Sequence, residues 1–452
     1  MSTNPIANEG FLGKIKTKIG KKEETESITT GKIDTYLLGV NNAMNICANA
    51  CACCWDKEIP DDYQGQAEYV AKRSRIGHTS VLEHSNFVVY LNVDKSYTDE
   101  LVDFLDICNY LHTRSVKSSD GNSWHVVIGG SYRGYCDLYR ETDDLNNPVL
   151  KAITGILYTY AHSGAFEDIC KLGLMEKDRF MNIEPDENFN ILSKFDHVIE
   201  EELFDIIGID SLSKLYTNLY NVSKDAASKI TTFDMIKFAS VSVMFKNMSR
   251  TCTHQLVRHR NAITQESQRY VDYSQSCFSS PADFKPERYD AEHKYTVRFG
   301  PSSQMHLTLS EIGEAMCGIY SQLHNPAVTG KEHALMREDA RAFLPSNVQC
   351  RKIYMTFTYK SLLKFLDLRE DKAAQAEIRK YAVALGTWFR SHTEFETAEI
   401  CNTYLQPRLL IQDPFNIDID EGIVEEQVEM TEEDYIRATG LDKEDTSETM
   451  EE

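Results

Sequence analysis

A chain of 452 residues, 42% apolar and 26% charged, has ordinary globular composition and room for more than one domain. Its net charge of −22 is uneven: from Asp413 onward sixteen acidic residues face only Arg437 and Lys443, a net of −14, leaving −8 for the first 412. Such a balance lacks the broad basic surface of a general nucleic-acid binder, and no apolar run approaches the ~20 residues that span a bilayer.

Residues 1–35 are polar and rich in Lys and Glu, which predicts a mobile extension. Asp34 to Trp55 reads as a helix of small residues, and a second helix ends near Gly77. Its thiols (Cys47, Cys51, Cys53, Cys54) read as packed free cysteines, because no second Cys/His pair has zinc-like spacing. With no secretory pattern at the N-terminus, the twelve cysteines predict a reduced, cytoplasmic protein.

Phe87 to Val93 reads as a strand. Residues 98–235 differ in character, with moderate helical patterns and a hairpin between Trp124 and Tyr135 that turns at Gly129-Gly130. Ala239 to Phe245 is a strand leading into a helix that begins near Ser249. Beyond a loop at 276–303, helices are predicted over Leu309–Leu323, Lys331–Phe343, Ser361–Leu368 and Ala373–Phe389, with a strand over Ile353–Thr358. The acidic segment 413–452 reads as a disordered tail. Interleaved helices and strands predict an α/β (α+β) protein, a mixed sheet flanked by helices.

The chemistry concentrates between Arg250 and Tyr270. Arg250, His254, Arg258, His259 and Arg260 fall within eleven residues and repel one another unless an anion or a planar electron-rich group is present. On a helix Gln255 shares a face with Arg258 and His259. Gln265, Glu266, Ser267 and Arg269 follow with amide, carboxylate, hydroxyl and guanidinium groups, a mixture suited to a nucleotide monophosphate. A solvated basic helix face is the plainer alternative. Leu362, Leu366 and Arg369 share one helical stripe, so Arg369 extends an apolar face and needs a partner. That partner is a ligand carbonyl or anion, or simply Glu370, Asp371 or another helix.

Arg258-His259-Arg260, a spacer, then Ser267-Gln268-Arg269-Tyr270 resembles the signature of the flavin-dependent thymidylate synthases (the ThyX family): Arg-His-Arg, seven residues, Ser. Gly77-His78-Thr79-Ser80 with Glu83-His84, Ala340-Arg341-Ala342-Phe343-Leu344-Pro345, and Ser361-Leu362-Leu363-Lys364-Phe365-Leu366-Asp367-Leu368-Arg369 resemble three further family segments in the family's order. The resemblance implies a discontinuous core, 36–97 and 236–412, in the family fold, with 98–235 as an inserted subdomain. It implies FAD held by His78, Ser80, Arg258, His259, Arg260, Thr358 and Lys360. It implies dUMP held by Gln255, Arg258, Gln265, Glu266, Ser267, Arg269, Arg341 and Arg369, with Arg369 catalytic at the uracil ring. NADPH and 5,10-methylenetetrahydrofolate are the implied co-substrates, dTMP the product and a homotetramer with shared sites the assembly. No protein nucleophile is implied, and no Pro-Cys pair occurs in the chain. His84 reads as structural.

Two alternatives stay open on these residues: a flavin-dependent dUMP hydroxymethylase and a catalytically inactive nucleotide-binding relative. The sequence departs from the family pattern in three places. The spacer before Ser267 holds six residues, Ala373 stands where many members carry histidine, and Lys364 where some carry asparagine.

Overall fold

A computed structural model describes residues 33–41, 43–109, 111–141, 147–153, 199–274, 277–298 and 303–405. Residues 1–32 of the expected N-terminal extension, the acidic tail and the middle of segment 98–235 lie outside the described residues, while 33–35 belong to a strand.

Strand β1 (Ile33–Val40) opens the described residues, where a helix was expected from Asp34. It pairs antiparallel with β2 (Phe87–Asp94). Between them run helices α1 (Ala43–Trp55) and α2 (Tyr63–Arg75) and a 3-10 turn, Thr79–His84. Asp62 caps α2 by accepting from the Gly65 amide at 2.8 Å. Gly77, at φ 94°, releases the chain from α2 towards His78 in a conformation that favours glycine. After α3 (Thr98–Asp106) come β3 (His112–Lys117), β4 (Ser123–Gly130) and α4 (Tyr132–Glu141). The first sheet runs β1-β2-β4-β3.

The second sheet contains β5 (Ile199–Glu200) and β6 (Phe204–Ile209), followed by α5 (Leu212–Val222) and α6 (Lys224–Lys229). Strand β7 (Ser240–Ser249) leads into α7 (Arg250–Leu256) and then β8 (Ala262–Gln265). A separate ribbon, β9 (Tyr295–Arg298) with β10 (Gln304–Leu307), precedes α8 (Leu309–His324). Strand β11 (Gln349–Thr358), α9 (Tyr359–Glu370), α10 (Ala376–Ser391) and α11 (Glu396–Tyr404) complete the described chain. The order is β5-β6-β7-β11-β8.

Helices and sheets share one body, as an α/β protein requires, but every described ladder is antiparallel rather than mixed in direction. Segment 98–235 is also not set apart: β3 and β4 extend the first sheet and β6 pairs with β7 in the second. Gly129 and Gly130 lie within β4 rather than at a turn, paired with Val88 and Phe87. A Cβ on Gly129 would stand 2.7 Å from the Phe238 ring, so close packing explains the glycine. The expected helix Lys331–Phe343 is reduced to a single turn, Arg337–Ala340, plus a 3-10 turn, Arg341–Phe343. Apart from Ala340, nothing in that stretch is buried, so no packing sustains a longer helix.

Both faces of β2 are buried. Phe87, Val89, Leu91 and Val93 join the core under α1, and Val88 and Tyr90 join the core shared with β7, β11, α9 and α10. Burial of this kind is the main stabilising contribution, at about 25 cal/mol per Å² of apolar surface. His84 sits between β8 and β11, hydrogen-bonded to Thr264 and Thr356 at 3.0 Å each. Burial pushes its pKa down to about 3, so the ring is a neutral clamp, as the sequence predicts. No helix among the described residues is long and apolar enough to cross a membrane.

Candidate functional site

The predicted residues assemble into two groups at opposite ends of β8. Its register runs from Ala262, opposite Thr356, to Gln265, opposite Ile353, a separation on the order of 10 Å.

At the first end, Ser249 caps α7 by accepting from the Cys252 amide at 3.1 Å. The helix stops at Leu256, tightens into a 3-10 turn over Val257–His259, and breaks at Arg260, whose φ of 50° and ψ of 37° are left-handed. This break separates the three basic residues. His259 turns inward and accepts a hydrogen bond at Nε2 from Arg369 Nε, 2.9 Å away, while Arg258 and Arg260 remain exposed. The His259 ring also stands edge-on to Phe365 at 5.0 Å. Burial, then Arg369 and Lys364, lower its pKa to about 4, so the acceptor nitrogen is free of a proton at neutral pH. Burial and then Arg258 lower that of Arg369. Glu370 pairs with Arg390 at 2.6 Å instead, so the proposed local salt bridge does not form. Gln255 hydrogen-bonds to Gln375, which the sequence reading missed. Thr358 caps α9 by accepting from the Ser361 amide at 3.1 Å, and Lys360 lies one turn before Lys364 on that helix. Cys252, beside Arg369, has its thiol pKa raised by burial and then by Glu377.

The other end is built around the C-terminus of α1. The Ser267 amide donates to the Cys54 carbonyl at 3.1 Å, which draws the loop after β8 towards Trp55. Tyr270 stacks on Trp55 at 5.5 Å, and His78 meets Trp55 edge-on at 4.5 Å. Arg73 lies over the Trp55 ring at 4.6 Å. The pKa of His78 is lowered by partial burial, then Arg73 and Arg269. Glu338 gathers two predicted arginines: Arg269 pairs with its carboxylate at 3.0 Å, and Arg341 Nε donates to its backbone carbonyl at 3.0 Å. Ser80 is exposed in the turn after His78.

Glu266 is turned away from both surfaces. Its side chain is fully buried, ion-paired with Arg351 at 3.0 Å and accepting from the Arg351 amide at 3.0 Å and the Tyr273 hydroxyl at 3.1 Å. Its pKa is raised by burial, against the lowering effect of Arg351. Gln265 has a buried Oε1 without a hydrogen-bond partner. Cys53 is buried, with Sγ placed to donate to the carbonyls of Lys352 at 3.2 Å and Thr264 at 3.5 Å. Trp55, Arg73 and Gln375 carried no local signal: Trp55 and Gln375 acquire their places through Tyr270 and Gln255, far along the chain, and Arg73 through Trp55.

Fold and site define an α/β protein with a surface-accessible arginine–histidine cluster that lacks carboxylate neutralisation among the described residues, and a separate aromatic ledge. Residues 224–393 match the family model described as thymidylate synthase complementing protein, Thy1. That match covers 170 of the chain's 452 residues. Flavin-dependent thymidylate synthases of Mycobacterium tuberculosis and Mycobacterium bovis are 31% identical over 152 residues, 33% of this chain. The chain thus spans 58% of the length of these curated relatives. A structure of flavin-dependent thymidylate synthase ThyX from Helicobacter pylori, complexed with FAD and dUMP, overlaps 37% of this chain and 81% of its own at 16% identity and a TM-score of 0.25.

Proposed function

We propose that this chain is a cytoplasmic flavin-dependent thymidylate synthase, converting dUMP to dTMP with FAD, NADPH and 5,10-methylenetetrahydrofolate. The observation that carries the reading is the Arg369–His259 pair: a half-buried guanidinium held by a neutral imidazole, with Arg258 and Lys364 close by and Glu370 engaged elsewhere. Such a group retains its charge for a ligand.

The residues fit the cofactor and substrate in kind. Uncompensated cations suit phosphates, the unpartnered Gln265 Oε1 suits a donor on a base, and the Trp55–Tyr270 ledge suits a flat ring. Bound FAD would supply the hydride that completes the methyl group. Arg258, His259, Arg260, Thr358 and Lys360 would bind it, with His78 and Ser80 contributing from the ledge. Gln255, Gln265, Ser267, Arg269 and Arg341 would orient dUMP, and Arg369 would stabilise negative charge on the uracil oxygen. Glu266 would act by bracing this loop. Ser267 would bind rather than attack, since its Oγ is engaged by the Arg269 amide at 3.3 Å. The thiol at Cys252 is held protonated, which supports chemistry without a cysteine nucleophile.

The separation of the two groups along β8 favours a homotetramer in which one protomer's loop meets a neighbour's arginine cluster. Exposed apolar residues on α8 (Met316, 38% and Ile319, 43%) favour such contact. The test is the absorption spectrum of the purified protein before and after NADPH, with mass analysis of the nucleotide product. A colourless protein that neither binds nor reduces flavin would end the proposal.

A further inference from the structure

Beyond the arginine–histidine cluster, basic side chains continue across three elements. Lys360 and Lys364 follow one another on the same face of α9. The Lys360 amide donates to the Ile236 carbonyl at 3.1 Å, which sets the start of α9 against the residue before Lys237. Lys237 Nζ in turn donates to the Thr113 carbonyl at 2.7 Å, one residue beyond His112 on β3. At the near end Lys364 lies close enough to His259 to depress its protonation.

Asp234, the carboxylate that acts on Lys237, is ion-paired with Arg114 at 3.1 Å. Lys360, Lys364 and Arg258 have no ion-pair partner among the described residues. The cations crowd one another. Burial brings Lys237 down to about 8, with Arg114 and Lys360 adding to the effect against Asp234. Burial, Lys237 and Lys360, in that order, bring His112 down to about 4, although its side chain keeps an exposed edge. A row of like charges that depress one another is unfavourable when empty and becomes favourable when a multivalent anion lies along it.

We propose that His112, Lys237, Lys360 and Lys364 form one phosphate-binding lane that seats the diphosphate of a dinucleotide, extending the Arg258–His259–Arg369 site towards β3. This rests on the synthase reading for the choice of a dinucleotide. The lane itself rests on the bonds that set α9 against Ile236 and Lys237 against β3, and on the mutual repulsion of these groups. His112 comes from the part of the chain outside the family match, whereas Lys237, Lys360 and Lys364 lie within it, so the β3 end of the lane would be this protein's own addition.

The test uses the full chain, with Lys237→Gln, Lys237→Arg and His112→Gln, in titrations with FAD, NADPH and ADP at low and moderate salt. Loss of one charge-assisted hydrogen bond should weaken FAD by about tenfold in Lys237→Gln, and Lys237→Arg should restore it. The salt dependence of the affinity should become shallower in Lys237→Gln. An unchanged FAD affinity with a similarly raised KM for NADPH would uphold the lane and assign it to the co-substrate. Lys364→Gln, exposed and unpaired, carries the same test if Lys237→Gln melts early. ADP binding weakened by Lys237→Gln in a protein that takes no flavin would uphold the lane while sinking the synthase reading. Affinities for all three ligands unchanged within about twofold in folded Lys237→Gln and His112→Gln would overturn the lane.

Discussion

Removing the Glu266 carboxylate should unfold the protein more readily before it affects any ligand. The side chain is 0% exposed and receives the Tyr273 hydroxyl at 3.1 Å, the Arg351 amide at 3.0 Å and the Arg351 guanidinium at 3.0 Å. In Glu266→Ala the Tyr273 hydroxyl and the Arg351 amide lose their acceptor, at about 1–3 kcal/mol for each buried group left unpaired. The ion pair adds little to that cost, because the Arg351 side chain is 44% exposed and keeps Asp56 at 3.0 Å. The expected loss is therefore about 3–4 kcal/mol for Ala. Gln retains an acceptor oxygen and should lose about 1–2 kcal/mol. Urea unfolding at pH 7 measures both, with an unchanged slope marking a stability effect alone. A stable Glu266→Ala that no longer binds dUMP would refute the bracing role and return Glu266 to the ligand surface.

Replacing Arg369 by Ala should lower kcat by about a hundredfold or more while leaving flavin bound, and retained turnover would remove it from the site. Arg258→Ala with His259→Ala should yield a folded protein without flavin; full occupancy would overturn that assignment. Stability should fall as pH drops below about 6.5. His84, pinned neutral down to about 3, and His259, down to about 4, take up protons in the unfolded chain before they do in the folded one. The unfolded state then binds more protons, so stability rises with pH through this window. His84 alone contributes a slope of about 1.4 kcal/mol per pH unit, and a midpoint independent of pH between 4 and 6 would contradict the clamp.

Much of the frame was legible because it is local. The β-branched and aromatic run at Phe87–Val93 forms β2, the run from Ala239 to Phe245 enters β7, and Ser249 starts α7 as its cap. Ile33–Val40 was misread for a physical reason: Leu37 and Leu38 face different cores, so the strand shows no alternation. The glycines of β4 resembled a turn because no sequence pattern reveals a Phe238 ring packed against them. The apolar residues of 331–343 suggested a helix, yet Met336 (68%) and Phe343 (49%) remain exposed and no core selects it.

The site was legible in composition but not in geometry. Arg258, His259 and Arg260 look equivalent in sequence; the left-handed break at Arg260 turns only His259 towards Arg369, 110 positions away. Glu266 and Ser267 are neighbours on the chain, yet one faces Arg351 inside and the other Cys54 at the ledge. What sets the spacing between arginine cluster and ledge is therefore the rigidity of β8 against β11. His84 bonds both strands at once through Thr264 and Thr356, from a position where it meets no proposed ligand. A change there that preserved the fold but loosened the pairing would shift the two ends relative to each other. Positioning error of even about 1 Å is costly to a reaction that depends on alignment and on fixed charge. On the proposed function His84 would therefore act as a positioning residue, although its ring is fully buried.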